Sequence, residues 1–206
     1  MAHQKKSPLA FERDEEARGL WRWLASHFDA RRLVFVDESG FHTSMTRLRA
    51  RAPRGERAYG KVPRNRGKNE TLIASITLEG AVGASMTMEG ATDAKAFEAY
   101  VEHFLAPTLE KGQVVVLDGL RVHRTDKVRE LIERRGAELL FLPSYSPDLN
   151  PIEEAFSKVK NIVRKAGART REALVEVISL AISALTLEDV AGWFAHCGYY
   201  LQDQYS

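Results

Sequence analysis

Three short, almost purely apolar runs constrain the fold of this chain more than any other feature. They span residues 32–37 (RLVFVD), 113–118 (QVVVLD) and 137–143 (AELLFLP). Apolar runs of this length are typical of strands that are covered on both faces, as in the sheets of α/β proteins. Two of the runs end in an acid, Asp37 and Asp118. We therefore predict a sheet between two layers of helices, with acidic residues at the ends of its strands.

The segments around these runs complete the pattern of one mixed sheet. Residues 71–78 and 81–88 are rich in β-formers and are separated by Glu79-Gly80, which indicates a hairpin. Helical spacing and N-cap residues predict helices over 14–28, 93–109, 125–135 and 151–165, and after Thr170 and Thr186. The buried stripe of the first helix is predicted to be Ala17, Leu20, Leu24 and Phe28. The fold class is therefore α/β, with a five-stranded sheet of three antiparallel and then parallel strands, and helices on both faces.

Composition places the chain among soluble globular proteins, because 44% of its 206 residues are hydrophobic and 28% are charged. No apolar run approaches the roughly 20 residues that cross a bilayer, and the polar N-terminus is unlike a signal peptide. The single cysteine, Cys197, excludes an internal disulfide and a cysteine-based zinc site. We expect a helical lead-in over 1–30, one domain over 31–206, no membrane partner and a cytoplasmic location.

Positive charge is concentrated in residues 47–68, which we call the basic arm. The arm has nine basic residues and one acid, Glu56, so it carries +8, whereas the whole chain carries +2. Three glycines and two prolines indicate a flexible segment. Such an arm predicts a nucleic-acid partner, and a merely solvated loop is the alternative. The basic residues are Arg47, Arg49, Arg51, Arg54, Arg57, Lys61, Arg64, Arg66 and Lys68.

Asp37 and Asp118 should meet at one edge of the sheet if their strands are neighbours, since ligand sites lie beyond the carboxyl ends of such strands. Converging carboxylates repel each other unless a cation is present, and they are hard donors suited to Mg²⁺ or Mn²⁺. Two such ions can activate a hydroxyl and stabilise the leaving oxygen of a phosphoryl displacement. Together with the basic arm, the two acids predict a metal-dependent nuclease or strand-transfer site.

A third carboxylate is expected from residues 145–156, YSPDLNPIEEAF. The local motif has a purely structural interpretation, because Asn150, Pro151 and Glu153 suit an N-cap, the first helical position and a capping box. The apolar face of this helix is predicted to be Ile152, Phe156, Val159 and Val163.

Helical phase separates the two adjacent glutamates of this motif. Glu153 lies about 100° from the apolar face, and its row continues as Ser157, Lys160 and Arg164, which are types that contact phosphate. Glu154 lies further out, where a surface pair with Lys158 is expected. Geometry therefore favours Glu153 as the third acid.

At this point the residues resemble a known family. FVDESGF, VVVLDGLRVHR and LPSYSPDLNPIEEAFSKVK are similar to the three signature blocks of DDE transposases, in the bacterial insertion-sequence branch related to mariner transposons. The 34 residues between Asp118 and Glu153 match the spacing of that branch, and RARAPRGERAYGKVP and FAHCGY resemble one subgroup. The resemblance covers about residues 30–200.

The resemblance implies a ribonuclease-H-like fold in which Asp37, Asp118 and Glu153 are the catalytic, metal-binding triad. It implies two Mg²⁺ or Mn²⁺ ions, cleavage of double-stranded DNA at transposon ends, and joining of the 3′ hydroxyl to target DNA, usually at TA. A homodimer on paired ends, in a bacterial cell and associated with its nucleoid, is also implied. His123 and Arg124 match a family position; His123, Lys160 and Arg164 are expected to contact DNA, and Arg124 fits plain surface equally well.

Two departures from the family pattern bear on activity. Gly119 stands where the family usually has Asn, and only about 30 residues precede the first strand, where relatives carry helix-turn-helix modules. We expect a catalytic half, either a fragment or the product of a split reading frame. A DNA-binding remnant that represses intact transposase, and a ribonuclease-H-like nuclease, remain alternatives.

Five neighbours of the motifs have structural interpretations. Glu38 should point to the face opposite Asp37, Asp148 suits a turn, and Tyr145, Tyr199 and Tyr200 are expected to pack.

Overall fold

A five-stranded mixed sheet organises the chain in a computed structural model that describes residues 13–80 and 82–201. Its order is β3-β2-β1-β4-β5. The first three strands are antiparallel, and β4 and β5 run parallel to β1, which confirms the predicted sheet. The strands are β1 (Leu33–Phe41), β2 (Glu70–Ile76), β3 (Ser85–Glu89), β4 (Val114–Leu117) and β5 (Glu138–Phe141).

Six α-helices accompany the sheet in the described part of the chain. They are α1 (Glu15–Ala25), α2 (Ala94–Tyr100), α3 (Asp126–Glu133), α4 (Pro151–Ala166), α5 (Arg171–Ser183) and α6 (Leu187–His196). The helix predicted over 93–109 changes type, because α2 continues as a π-helical turn (Val101–Leu105) and a 3₁₀ turn (Ala106–Thr108). Thr170 and Thr186 cap α5 and α6 as predicted. None of the described helices is long and apolar enough to cross a membrane.

The sheet separates two apolar cores, which explains the unbroken apolar runs of its central strands. Leu33 and Phe35 pack with α1, α4, α5 and α6 on one face. Val34 and Val36 pack with α2 and α3 on the other. Because successive strand residues alternate between faces, a strand covered on both sides needs apolar residues at every position.

The predicted apolar stripe of α1 is mostly wrong, since only Phe28, which is partly buried, packs against the core. The buried residues of this helix are Arg18, Trp21 and Ala25, whereas Leu20 is 64% exposed. Residues 18, 21 and 25 also share one helical face, but that face contains an arginine, so a search for apolar side chains alone selects the wrong side. The predicted lead-in therefore contributes Trp21 and Ala25 to the main core, and its residues 1–12 lie outside the described part.

The strand that carries Asp37 continues beyond its predicted end, to Phe41. Its pairing with β4 stops at Phe35, opposite Val116, while its pairing with β2 runs from Phe35 to Phe41. The sheet therefore opens between β1 and β4 at their carboxyl ends. Asp37 and Asp118 each stand two residues beyond the last parallel pair, so the strand register brings them to this opening together.

Candidate active site

A cleft of about 370 Å³ lies at this opening of the sheet. Asp37, Asp118 and Glu153 all line it; Asp37 lies in β1 and Asp118 directly follows β4. The start of α4 supplies Glu153, which is exposed. The remaining lining residues are Gly119, Leu120, 142–147 and Asn150. The structure thus brings the three predicted acids to one cleft.

Asp37 is held at both oxygens of its carboxylate. The backbone N–H of Glu38 donates to Oδ1 at 2.7 Å, and the side-chain Nδ2 of Asn150 donates to Oδ2 at 2.8 Å. Burial raises the pKa of Asp37 to about 7, and the charges of Glu153, Asp118 and Glu38 add to this against the lowering effect of the Glu38 N–H. Because neighbouring negative charges disfavour ionisation of Asp37, a bound cation would stabilise the ionised carboxylates of this site.

Asp118 is held by His123, which is fully buried and also contacts Glu38. His123 Nδ1 lies 2.6 Å from Asp118 Oδ1, and Nε2 lies 3.0 Å from Glu38 Oε2. Burial opposes the charged imidazole, but the hydrogen bonds to the two carboxylates outweigh it and raise the pKa of His123 to about 9. Burial also opposes ionisation of Asp118, yet the bonds from His123 and the Leu120 N–H leave its pKa below the ordinary value. At neutral pH the structure therefore favours an ionised Asp118 beside a protonated His123.

This arrangement contradicts the predicted DNA contact of His123. Its side chain is 0% exposed, both ring nitrogens face carboxylates, and the ring lies 4.1 Å from that of Phe97. His123 therefore supports Asp118 from inside the protein. Glu38 lies within β1 and contacts the buried His123, which is a structural role, as predicted.

The capping box predicted at the start of α4 is absent. Asn150 occupies the N-cap position, but its side chain makes no capping hydrogen bond, and its amide N–H instead donates to Asp37. The Glu153 N–H instead bonds the backbone carbonyl of Asn150 at 3.1 Å. Glu153 is therefore not committed to a cap and remains in the cleft.

The surface pair predicted between Glu154 and Lys158 is also wrong. Glu154 contacts His196 Nδ1 at 2.9 Å, and Lys158 pairs with Asp189. Both partners lie on α6, which packs beside α4, and tertiary packing outweighs the local i,i+4 preference. The predicted apolar face of α4 is correct, since Ile152, Phe156, Val159 and Val163 are buried.

The basic arm connects β1 to β2 without a helix or strand, and its nine basic residues are exposed. Arg169 anchors the entry to the arm by donating to the carbonyls of Thr43 and Met45, at 2.8 and 3.1 Å. Burial and then the charges of Arg66, at the end of the arm, and Arg164, on α4, lower the pKa of His42. Lys160 lies in the same row as Arg164, 5.8 Å over the Phe41 ring. A basic strip thus runs from Glu153 along α4 to the arm.

Gly119, where the resemblance implied Asn, lies against an arginine. Arg124 Nε donates to the Gly119 carbonyl at 3.0 Å, and a Cβ at Gly119 would lie 3.0 Å from Arg124 Nη2. The guanidinium also stacks 4.8 Å from the Phe141 ring. Arg124 therefore occupies the space beside Asp118 that a longer side chain at position 119 would use.

The packing predicted for three tyrosines is correct only for Tyr199, which is 3% exposed. Tyr200 is 67% exposed, and Tyr145 is 57% exposed and lines the cleft. Tyr145 also has a left-handed backbone, with φ of 54°. This conformation is unfavourable for a bulky residue and concentrates at functional sites.

Contacts made by Arg18 and Trp21 of α1, which we call the brace and which the sequence did not predict, support the turn before Glu153. Arg18 is fully buried and donates to both oxygens of Asp148, at 3.0 and 2.6 Å. Tyr199 accepts from Trp21 Nε1 at 2.9 Å and donates to the Leu149 carbonyl at 2.6 Å. Asp148 is thus a turn residue, as predicted, and also an anchor for α1. The available signal was an arginine spaced with Trp21 and Ala25 on one helical face.

The donors in the cleft fit a divalent cation in their chemistry. No three acidic, histidine or cysteine side chains among the described residues are gathered closely enough to hold one ion between them. Magnesium, however, is usually held by one or two carboxylates, with waters and substrate phosphates completing its shell. Asp37 and Asp118, beside each other in register, supply such a pair, and Glu153 lines the same cleft.

The chain belongs to the DDE superfamily endonuclease family, whose model matches residues 32–175. It is 27% identical over 171 residues to the Tcb2 transposase of Caenorhabditis briggsae, an alignment that covers 77% of this chain and 63% of the relative. The chain thus spans less than two thirds of the curated relative's length.

Solved structures show the same fold. The Mos1 strand transfer complex superposes with a TM-score of 0.74 at 17% identity, covering 97% of this chain and 63% of that one. The catalytic domain of Mos1 mariner transposase gives 0.68 at 16% identity, covering 95% and 92%. The fold is therefore the ribonuclease-H-like fold of that domain, as predicted.

Proposed function

We propose that this chain is the catalytic domain of a transposase, which cuts DNA at transposon ends and joins the freed 3′ hydroxyl to target DNA. The observation that carries this proposal is the register of β1 and β4, which sets Asp37 and Asp118 side by side in a cleft that Glu153 also lines. Membership of the DDE endonuclease family supports it. Such an enzyme acts in the compartment that holds its DNA, which is the nucleoid if the source is bacterial.

Asp37, Asp118 and Glu153 would hold two Mg²⁺ or Mn²⁺ ions, which when bound would supply the activated hydroxyl and the stabilised leaving oxygen of an in-line displacement. His123 holds Asp118 in place and in its ionised form. Lys160, Arg164 and the basic arm would guide the DNA backbone toward the cleft. Two copies of the chain on paired ends are the assembly that the resemblance to mariner transposases supports.

Substrate choice tests this proposal. The purified chain is incubated with Mn²⁺ or Mg²⁺ and a panel of labelled substrates: duplex DNA ending in the element's inverted repeat, random duplex, an RNA–DNA hybrid and a four-way junction. Nicking of the DNA duplexes and joining of their 3′ ends is the expected result. Preferred cleavage of the hybrid or the junction would instead identify a nuclease of the same fold, and DNA binding without cleavage would identify a remnant.

The basic strip on α4 is expected to contribute to DNA affinity. Replacing Lys160 and Arg164 together by Ala should weaken duplex binding and flatten the plot of log affinity against log salt concentration by about 2, because each phosphate contact contributes about 0.9. Fluorescence anisotropy in EDTA at several salt concentrations measures this. The matched control is Lys95→Ala with Lys111→Ala, which removes the same charge from exposed positions on α2 and before β4. Equal slopes for the two double variants would contradict a phosphate path along α4.

Metal binding is expected to depend on pH through Asp37, whose pKa burial raises from 3.8 to about 7. Only the ionised carboxylate binds metal, so the apparent affinity for Mn²⁺ should fall about tenfold for each pH unit below 7 and level off above it. Without metal, ionisation of Asp37 has the opposite effect and lowers the stability of the folded chain. The folded state binds the Asp37 proton more tightly than the unfolded state, so this group costs stability increasingly as pH rises from about 4 to 7.

Thermal unfolding with and without Mn²⁺ between pH 5.5 and 8.5 checks the pH prediction. The rise in melting temperature caused by Mn²⁺ should grow up to about pH 7 and then stay constant. Asp37→Asn should abolish this dependence. A wild-type Mn²⁺ effect that is the same at pH 5.5 and pH 8.5 would contradict the proposed role of Asp37.

A further inference from the structure

We propose that Asn150 is a positioning residue, whose side-chain amide holds the Asp37 carboxylate in the orientation that metal binding requires. The inference rests on the proposed function and names one more residue on which that site depends. Asn150 is 3% exposed and lines the cleft beside Asp37 and Glu153.

The hydrogen bonds of Asp37 define the geometry. Asn150 Nδ2 donates to Oδ2 at 2.8 Å, and the Glu38 N–H donates to Oδ1 at 2.7 Å. An ionised carboxylate only accepts hydrogen bonds, so the amide must present its N–H group to Asp37. With both oxygens held, the plane of the carboxylate is set and its remaining lone pairs are directed to the cleft. Loss of the Asn150 bond would leave Oδ2 free to rotate.

Asn150 also does not form the capping hydrogen bond that its N-cap position favours. Asparagine is among the best N-cap residues because its side-chain oxygen accepts from the first turn. The five other α-helices described here each have a side chain that does so: Asp14, Asp93, Thr125, Thr170 and Thr186. The side chain of Asn150 makes no such bond, and its Oδ1 is buried without a partner among the described residues.

An unpaired buried oxygen and an unused cap both cost stability. Such departures from local preference are expected at functional sites, and Asn150 contacts Asp37, a predicted catalytic residue. The backbone around Asn150 is also fixed, since its N–H bonds the Pro147 carbonyl at 3.0 Å and Tyr199 bonds the Leu149 carbonyl at 2.6 Å. The turn therefore fixes the backbone position from which the Asn150 amide reaches Asp37.

The Asn150→Ser variant tests the positioning role of Asn150 separately from any effect on helix capping. Serine caps helices about as well as asparagine, but its shorter side chain cannot reach Asp37. We expect the variant to keep the wild-type helix content and a melting temperature within a few degrees of wild type. Its affinity for Mn²⁺, measured by the paramagnetic resonance of free Mn²⁺, should fall about 10–100-fold, as is usual when a partner of a metal ligand is removed. DNA nicking should fall by a similar factor.

The control is Asp93→Ser, which makes a comparable exchange at the N-cap of α2 on the other face of the sheet. It should leave Mn²⁺ affinity unchanged. A crystal structure of metal-free Asn150→Ser supplies a second readout, in which the Asp37 carboxylate should be rotated or occupy two conformers. An unmoved Asp37 together with wild-type Mn²⁺ affinity would overturn the positioning role while leaving the transposase proposal intact. A wild-type chain that neither binds Mn²⁺ nor cuts DNA would overturn the proposed function itself.

Discussion

Asp118→Asn is expected to lower the rate of metal-dependent DNA nicking by at least about 10³-fold, because removing even one preorganised electrostatic group from an active site costs about 10²–10³. The amide has the shape of the carboxylate but lacks its charge. Its oxygen can still accept from His123 and from the Leu120 N–H, the bonds that hold Asp118 in place. The substitution therefore removes a proposed metal donor with little disturbance of the fold, and single-turnover nicking of a labelled duplex measures the loss.

The matched control for this substitution is Asp126→Asn, eight residues further on at the exposed start of α3. It should nick DNA at close to the wild-type rate. Circular dichroism and duplex binding in EDTA should be similar for both variants and the wild type. Cleavage by Asp118→Asn at more than about a tenth of the wild-type rate would contradict the role assigned to Asp118.

Asp148→Asn is expected to lower the free energy of unfolding by about 2 kcal/mol. Breaking a buried ion pair costs about 3–5 kcal/mol when one charge is left buried and unpaired. Arg18 is fully buried, but the side chain of Asp148 is 50% exposed, so solvent already screens part of the interaction and the smaller figure is appropriate. In a chain of this size the melting temperature should fall by about 4–8 °C.

Glu16→Gln is the control for the brace, since it removes an exposed acid from the first turn of the same helix. Its melting temperature should stay within about 2 °C of wild type, because surface substitutions away from special features are usually small in effect. Asp148→Asn should also reduce nicking below its own melting transition, since Asp148 lies in the turn that leads to Asn150 and Glu153. Equal stability of the two variants would show that Arg18 does not depend on Asp148.

The strands of the sheet could be predicted because they depend on short-range patterns. Apolar runs identify strands covered on both faces, and an acid at the end of two of the runs places Asp37 and Asp118 at strand ends, which meet if the two strands are neighbours. Helical phase likewise identified the buried face of α4. These inferences need only the geometry of one strand or one helix, so a local stretch of sequence contains the necessary information.

Three of the errors concern contacts between residues that are distant in the chain. Asn150 was expected to cap α4, but its amide bonds Asp37, 113 residues away. Arg18 lies outside the predicted apolar stripe of α1, yet it is buried and pairs with Asp148, 130 residues away. His123 was expected at the DNA surface, but Asp118 and Glu38 enclose it. In each case a polar side chain has a partner from a distant part of the chain that local propensity cannot reveal.

The amino-acid sequence by itself thus determined the α/β architecture, the family and the three acids that line the cleft, because residue type and periodicity encode strand ends and helix faces. Only the tertiary structure decided how those acids are held. His123 and Glu38 support Asp118. Asn150 holds Asp37 and makes no capping hydrogen bond at the start of α4. Helix α1 stabilises the turn that precedes Glu153. The physical reason is that burial makes an unpaired polar group costly, and the partner that satisfies each group is set by packing across the whole fold.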